Sequence, residues 1–164
     1  MDVEELDAVG GRRCEELLRT CCDAPAWAAR TTARRPFGTL ETLLAVVEEE
    51  LAATSEDDVD VALAAHPRIG ERSDSATSRR EQAGALGAGE DVLRQLADGN
   101  RRYEEKFGHV YLVFASGRSA EELLAILDER LGNDPATERA VLRRELAKIT
   151  RLRLERLLAS RRAS

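Results

Sequence analysis

Apolar residues recur every three or four positions through most of this chain, and each run is opened or closed by a residue that starts or stops helices. That pattern admits a helical fold and little else. The longest stripe lies near the C-terminus and reads Leu142, Leu146, Ile149, Arg153, Leu157, behind an Asp134-Pro135 start where aspartate caps and proline fits the first turn. Before it, Ser119-x-x-Glu122 has the spacing of a capping box and opens a helix with Leu123, Leu124, Leu127 and Leu131, which Gly132-Asn133 stops. The stretch from Glu90 to Phe107 carries Val92, Leu96, Asn100, Tyr103 and Phe107 on one side, and Gly84, Gly87 and Gly89 make the linker that precedes it. Thr39 caps a helix with Leu40, Leu43, Leu44, Val47 and Leu51; Ser55-x-x-Asp58 opens the next, whose stripe runs Val59, Leu63, His66. Residues 12–22 place Cys14, Leu17, Leu18 and Cys21 at helical spacing. Asp23-Ala24-Pro25 then starts a short helix with Trp27, and Arg34-Arg35-Pro36-Phe37-Gly38 is a breaker. One segment departs from the pattern. His109 to Ala115 is apolar, β-branched and too brief for a helix, so an extended buried segment is expected near 110–115. The expected fold is all-α, a single compact domain over residues 1–164 with about eight helices.

The 164 residues suffice to bury a core without disulfides or a structural metal. A net charge of −6 disfavours nucleic acid and anionic membrane as partners, although basic residues gather locally from Arg151 to Arg162. The first residues lack the basic and apolar regions of a signal peptide, and no apolar run approaches the roughly 20 residues that span a bilayer. A soluble, cytoplasmic protein is expected. Three cysteines, Cys14, Cys21 and Cys22, read as buried free thiols, because zinc would need partners this chain hardly supplies.

Chemistry concentrates between Ala65 and Gln82. His66 ends an apolar stripe because Pro67 disfavours helical geometry in the residue before it. The ring therefore sits at a helix C-terminus, where the dipole favours a cation and where a histidine can also do no more than cap carbonyls. Ser78-x-x-Glu81 is open to two readings, a plain capping box or, with Gln82, a polar cluster beside the histidine. Asn100 on an apolar stripe needs hydrogen-bond partners and is expected to tie down a neighbouring turn. Arg153 on the core face of the last helix either snorkels to water or awaits an anion. There is no glycine-rich phosphate loop, no paired CxxC, no nucleophile elbow and no HExxH. Acid/base work on a small molecule, without cofactor or metal, is the chemistry left.

In order along the chain, Cys21-Cys22 with Trp27, Arg35-Pro36-Phe37, Ala65-His66-Pro67-x-Ile69-Gly70 and Ser78-x-x-Glu81-Gln82 are followed by Asn100-x-x-Tyr103-x-x-x-Phe107-Gly108. Leu131-x-Asn133 and Glu145-x-x-Lys148-Ile149-x-x-x-Arg153-Leu154 complete the series. This ordered set resembles the 2-oxo-4-hydroxy-4-carboxy-5-ureidoimidazoline (OHCU) decarboxylase family over nearly the whole chain. The resemblance implies an all-helical, cofactor-free, homodimeric enzyme that converts OHCU to (S)-allantoin and CO2 after urate oxidase and 5-hydroxyisourate hydrolase. It further implies that His66 is catalytic. Pro67, Ser78, Glu81, Gln82 and Arg153 would line the substrate pocket, and the backbone of Tyr111, Leu112, Val113, Phe114 and Ala115 would bind the ring. The family's usual FGFPF wording is replaced here by Phe107-Gly108-His109-Val110-Tyr111, which makes His109 a second candidate acid. Two other readings stand beside the enzyme: a helical binding module without activity, and a relative that decarboxylates another ureido-substituted ring.

Overall fold

A computed structural model describes residues 1–71, 76–84 and 89–159. Among these residues there are nine α-helices and no strand, in agreement with the all-α expectation. In chain order they are α1 (Val3–Ala8), α2 (Gly11–Arg19), α3 (Pro25–Ala33), α4 (Leu40–Ala52), α5 (Glu56–Ala64), α6 (Ala76–Glu81), α7 (Glu90–Phe107), α8 (Ala120–Leu131) and α9 (Pro135–Ala159). The helix beyond the expected eight is α1, whose six residues are too few and too polar to show a stripe. Asp2 and Glu5 close a capping box at its start. Gly87 of the expected linker and Arg161 and Arg162 of the basic stretch lie outside the described residues. No described helix is long and apolar enough to cross a membrane.

The helices pack as two compact units. The first contains Met1–Ala62 and the chain from Ala147 onward; the second is Leu63–Leu146, so α5 and α9 contribute to both. In the first unit, Trp27 on α3 is fully buried and its indole N–H reaches the Val47 carbonyl of α4 at 3.4 Å. The expected breaker is a turn with a cis Arg35–Pro36 bond, tied to α1 from both sides. Asp7 accepts the Phe37 and Gly38 N–H groups, each at 2.9 Å, and Arg35 donates to the Val9 carbonyl at 2.7 Å.

The core of the second unit joins α7, α8 and the segment after α7. Leu96, Tyr103, Tyr111, Val113, Leu123 and Leu127 are its centre. α7 and α8 approach closely at Gly99, where an added Cβ would stand 2.5 Å from a Leu127 methyl. Alanine normally favours a helix over glycine by up to about 1 kcal/mol, but overpacking of this kind costs about 1–3 kcal/mol. Gly99→Ala is therefore expected to lower the thermal midpoint by a few degrees; an unchanged or higher midpoint would show that Leu127 yields freely.

Caps act largely where they were expected. Ser119 and Glu122 form a full capping box on α8, Thr39 accepts the Thr42 N–H, and Asp134 accepts the Thr137 N–H at 2.9 Å. Ser78-x-x-Glu81 does not act as a cap. Ser78 lies inside α6 and Glu81 ends it, so Ser78 uses its carbonyl, which accepts the Gln82 N–H at 3.0 Å. On α9, Leu142, Leu146 and Ile149 are buried as expected and Arg153 is half-buried on the same side, while Leu154 beside it is fully buried.

Candidate active site

α5 delivers His66. Val59 and Leu63 anchor the helix in apolar surroundings, 1% and 3% exposed, and the helix ends at Ala64 as Pro67 requires. The His66 N–H closes the last turn on the Leu63 carbonyl at 3.0 Å, which leaves the half-buried ring at the edge of a cleft of about 510 Å³. Pro67, Arg68, Glu104 and His109 line the same cleft. Arg68 grips Glu104 with two contacts of 2.6 and 3.0 Å, which hold the Glu104 carboxyl below its ordinary range and the guanidinium above its own. His109 packs edge-on against Tyr103 with ring centroids 5.5 Å apart, and its Nδ1 is 3.2 Å from the Val110 carbonyl oxygen.

The turn after His66 is pinned through one peptide group. The Asn100 side-chain amide donates to the Ile69 carbonyl at 2.9 Å, and the Gly70 N–H donates to Gln82 Oε1 at 3.1 Å. Both ends of the Ile69–Gly70 peptide are thus held, one from α7 and one from the residue after α6. Gly70 itself has φ +87°, a conformation that suits glycine. Asn100 accordingly does what its place on an apolar stripe suggested.

Of the residues expected to bind substrate, Pro67 lines the cleft beside His66, and Gln82 reaches the turn through its carbonyl oxygen. Ser78 and Glu81 are buried on α6 in the same unit, 4% and 9% exposed, and are not among the described residues lining that cleft. Arg153 belongs to the first unit. There it is half-buried near Cys21 and Cys22, whose thiols are pushed up to about 11 and about 12 by burial, with the arginine's charge pulling the other way. Those thiols stay protonated near neutrality, in keeping with inert buried cysteines.

Residues 109–115 form neither helix nor strand, as their composition suggested, and side chains hold their backbone. Arg130 on α8 donates to the Leu112 carbonyl at 2.7 Å, and the Phe114 N–H donates to Glu145 of α9 at 2.7 Å. Arg130 is in turn bound to Glu138 at 2.7 Å, and Glu138 also accepts from the Tyr103 hydroxyl and, at 3.0 Å, from the Asn133 amide. Desolvation is the main cause that pushes the Tyr103 hydroxyl well above its ordinary range, and the bond to Glu138 adds to it. Sequence reasoning missed Arg130 and Glu138, since charged residues next to helix ends read as solvated. The available signal was Leu131-x-Asn133, which brackets the site where Arg130 and Glu138 meet.

A family model for OHCU decarboxylase matches residues 7–155. The chain is 30% identical over 155 residues to the uric acid degradation bifunctional protein TTL of Arabidopsis thaliana, covering 90% of this chain but 48% of that one. It thus spans about half the length of this plant relative. It is 29% identical over 168 residues to the 2-oxo-4-hydroxy-4-carboxy-5-ureidoimidazoline decarboxylase of Amia calva, covering 96% of this chain and 95% of the other. Among solved structures it is similar to an OHCU decarboxylase crystallised in the presence of (S)-allantoin, with TM-score 0.78, 28% identity, and coverage of 88% of this chain and 98% of that one.

Proposed function

The chain belongs to the OHCU decarboxylase family, and from that premise we propose that it is a cofactor-free carboxy-lyase converting OHCU to (S)-allantoin and CO2. The observation that carries the reading is His66, an imidazole set at the lip of a cleft by a helix end, a proline and a turn held at both ends of one peptide. Residues 7–155 run through both units, which supports one OHCU decarboxylase domain over 1–164.

In the reaction the bond from the ring carbon to the carboxylate breaks and CO2 leaves. The electron pair forms a double bond to the carbon that carries the ureido group, whose C=N pair passes to the ring nitrogen as that nitrogen takes a proton. The hydroxyl then gives up its proton to become the ring carbonyl while the ureido-bearing carbon takes one from one face. Catalysis consists of stabilising the ring as it gains this charge. His66 serves the hydroxyl as acid/base partner. Pro67, Ser78, Glu81, Gln82, Arg153 and the backbone of 111–115 hold the substrate. Because Gln82 commits its oxygen to Gly70, its NH2 end is the one that addresses a substrate acceptor. Arg153 takes the carboxylate, a bidentate role in which lysine is a poor replacement.

Arg153→Lys is expected to raise KM for OHCU by about tenfold, the worth of one lost charge-assisted contact. Arg153→Met should raise it further at a similar thermal midpoint, and unchanged kinetics in both variants would remove Arg153 from the site. The protein works as a homodimer in the cytoplasm, downstream of urate oxidase and 5-hydroxyisourate hydrolase. Relatives that are bifunctional urate-degradation proteins support that pathway setting. The test is to form OHCU in place from urate with those two enzymes and to measure CO2. Faster release, one CO2 per OHCU consumed, is expected; release at the spontaneous rate would refute the activity.

A further inference from the structure

Among the described residues, Arg130 and Glu138 are the most deeply buried ion pair of the second unit. Their side chains are 5% and 0% exposed, and a buried ion pair commonly stabilises a fold no better than apolar residues of the same size. Their geometry indicates a different use. Arg130 holds the Leu112 carbonyl while its guanidinium lies 4.9 Å from the centre of the Tyr111 ring, and two residues later Glu145 holds the Phe114 N–H. The Leu112 carbonyl shares a peptide group with the Val113 N–H, and the Phe114 N–H shares the next one with the Val113 carbonyl. Both peptides are trans, since the one cis bond among the described residues is Arg35–Pro36. In a planar trans peptide the carbonyl and the N–H point in opposite directions. Each clamp therefore turns the free end of its peptide away from itself, and both free ends belong to Val113. Among the described residues neither has a hydrogen-bond partner, although Val113 is only 4% exposed. Buried peptide groups rarely go unpaired, because each left so costs about 1–3 kcal/mol.

We propose that Arg130 and Glu145 are positioning residues, which hold one side of the 112–114 backbone so that the Val113 N–H and carbonyl meet the substrate ring as a fixed donor and acceptor. The inference rests on the OHCU decarboxylase reading and adds to it two residues that act on the ring through the backbone. A ring amide offers the complementary acceptor and donor side by side. Holding that edge in advance lowers the cost of orienting the ring for loss of CO2. A carboxylate bound to a backbone N–H is among the stronger hydrogen bonds, so Glu145 is suited to this task.

Glu145→Ala and Glu145→Gln separate positioning from simple packing, because the glutamine oxygen can still accept the Phe114 N–H. Both are compared at a temperature where they are folded by circular dichroism, with KM and kcat for OHCU and the calorimetric Kd for (S)-allantoin. Glu145→Ala is expected to raise KM and Kd about tenfold to a hundredfold with a smaller change in kcat, and Glu145→Gln to recover most of the loss. Wild-type affinity in folded Glu145→Ala would overturn the proposal. Should the alanine variant not fold, amide spectra of the wild type decide: (S)-allantoin is expected to shift the Val113 N–H, and an unmoved Val113 resonance at saturation overturns it. Wild-type protein that neither turns over OHCU nor binds (S)-allantoin would refute the underlying reading instead.

Discussion

His66→Asn is expected to slow OHCU turnover about a hundredfold to ten-thousandfold, the usual cost of removing a general acid or base, while the fold survives. The ring stands two residues beyond the end of α5, half-buried at a cleft rather than within the apolar core. Truncating it opens no core cavity, so the thermal midpoint should move little. Binding of (S)-allantoin should also persist, because the turn is held by Asn100 and Gln82 through the Ile69–Gly70 peptide and not through the imidazole. Steady-state kinetics alongside a melting curve check both halves. Turnover equal to wild type would take His66 out of the mechanism, and a collapsed melting curve would make its role structural.

The largest effect on stability is expected from Glu138→Ala. The substitution leaves the Arg130 guanidinium buried without its carboxylate and removes the acceptor of the Tyr103 hydroxyl and the Asn133 amide. Breaking a buried pair from one side costs about 3–5 kcal/mol. In a chain of this size that corresponds to a midpoint lower by roughly 6–20 °C. Replacing both partners, as in Arg130→Met with Glu138→Leu, should recover much of the loss because no charge is then stranded. The double variant would still lack the donor to the Leu112 carbonyl, so its KM should stay high after its stability has returned. A midpoint for Glu138→Ala within a degree or two of wild type would mean that water reaches Arg130.

The helices were legible because their signals are local. Ser119 and Glu122, Thr39, and Asp134 with Pro135 each start a helix from within four residues of sequence, and the apolar stripes name most of the core without any knowledge of partners. Asn100 could be read as tying down a turn because a buried amide must find partners somewhere. What was not legible depends on tertiary placement. Ser78 and Glu81 have capping-box spacing, yet α6 begins at Ala76 and carries both residues within it, so spacing alone could not distinguish a helix start from a helix interior. Arg130 lies in a polar stretch and Glu138 in the first turn of a helix, where acidic residues are favoured anyway. Only the fold shows that the two meet in the interior. Arg153 was placed beside the core face by its helical spacing and is half-buried there, but spacing could not show that its neighbour Leu154 is fully buried.

The most direct test of the central claim is stereochemical. OHCU is formed from urate by urate oxidase and 5-hydroxyisourate hydrolase, and protonation of the ring in the absence of a chiral surface gives both hands of allantoin. With this protein added, circular dichroism should develop the signal of (S)-allantoin as fast as OHCU disappears, and with His66→Asn OHCU should decay at close to the unassisted rate with little of that signal. OHCU decay unchanged by the wild-type protein, or allantoin formed without a circular dichroism signal, would contradict the account.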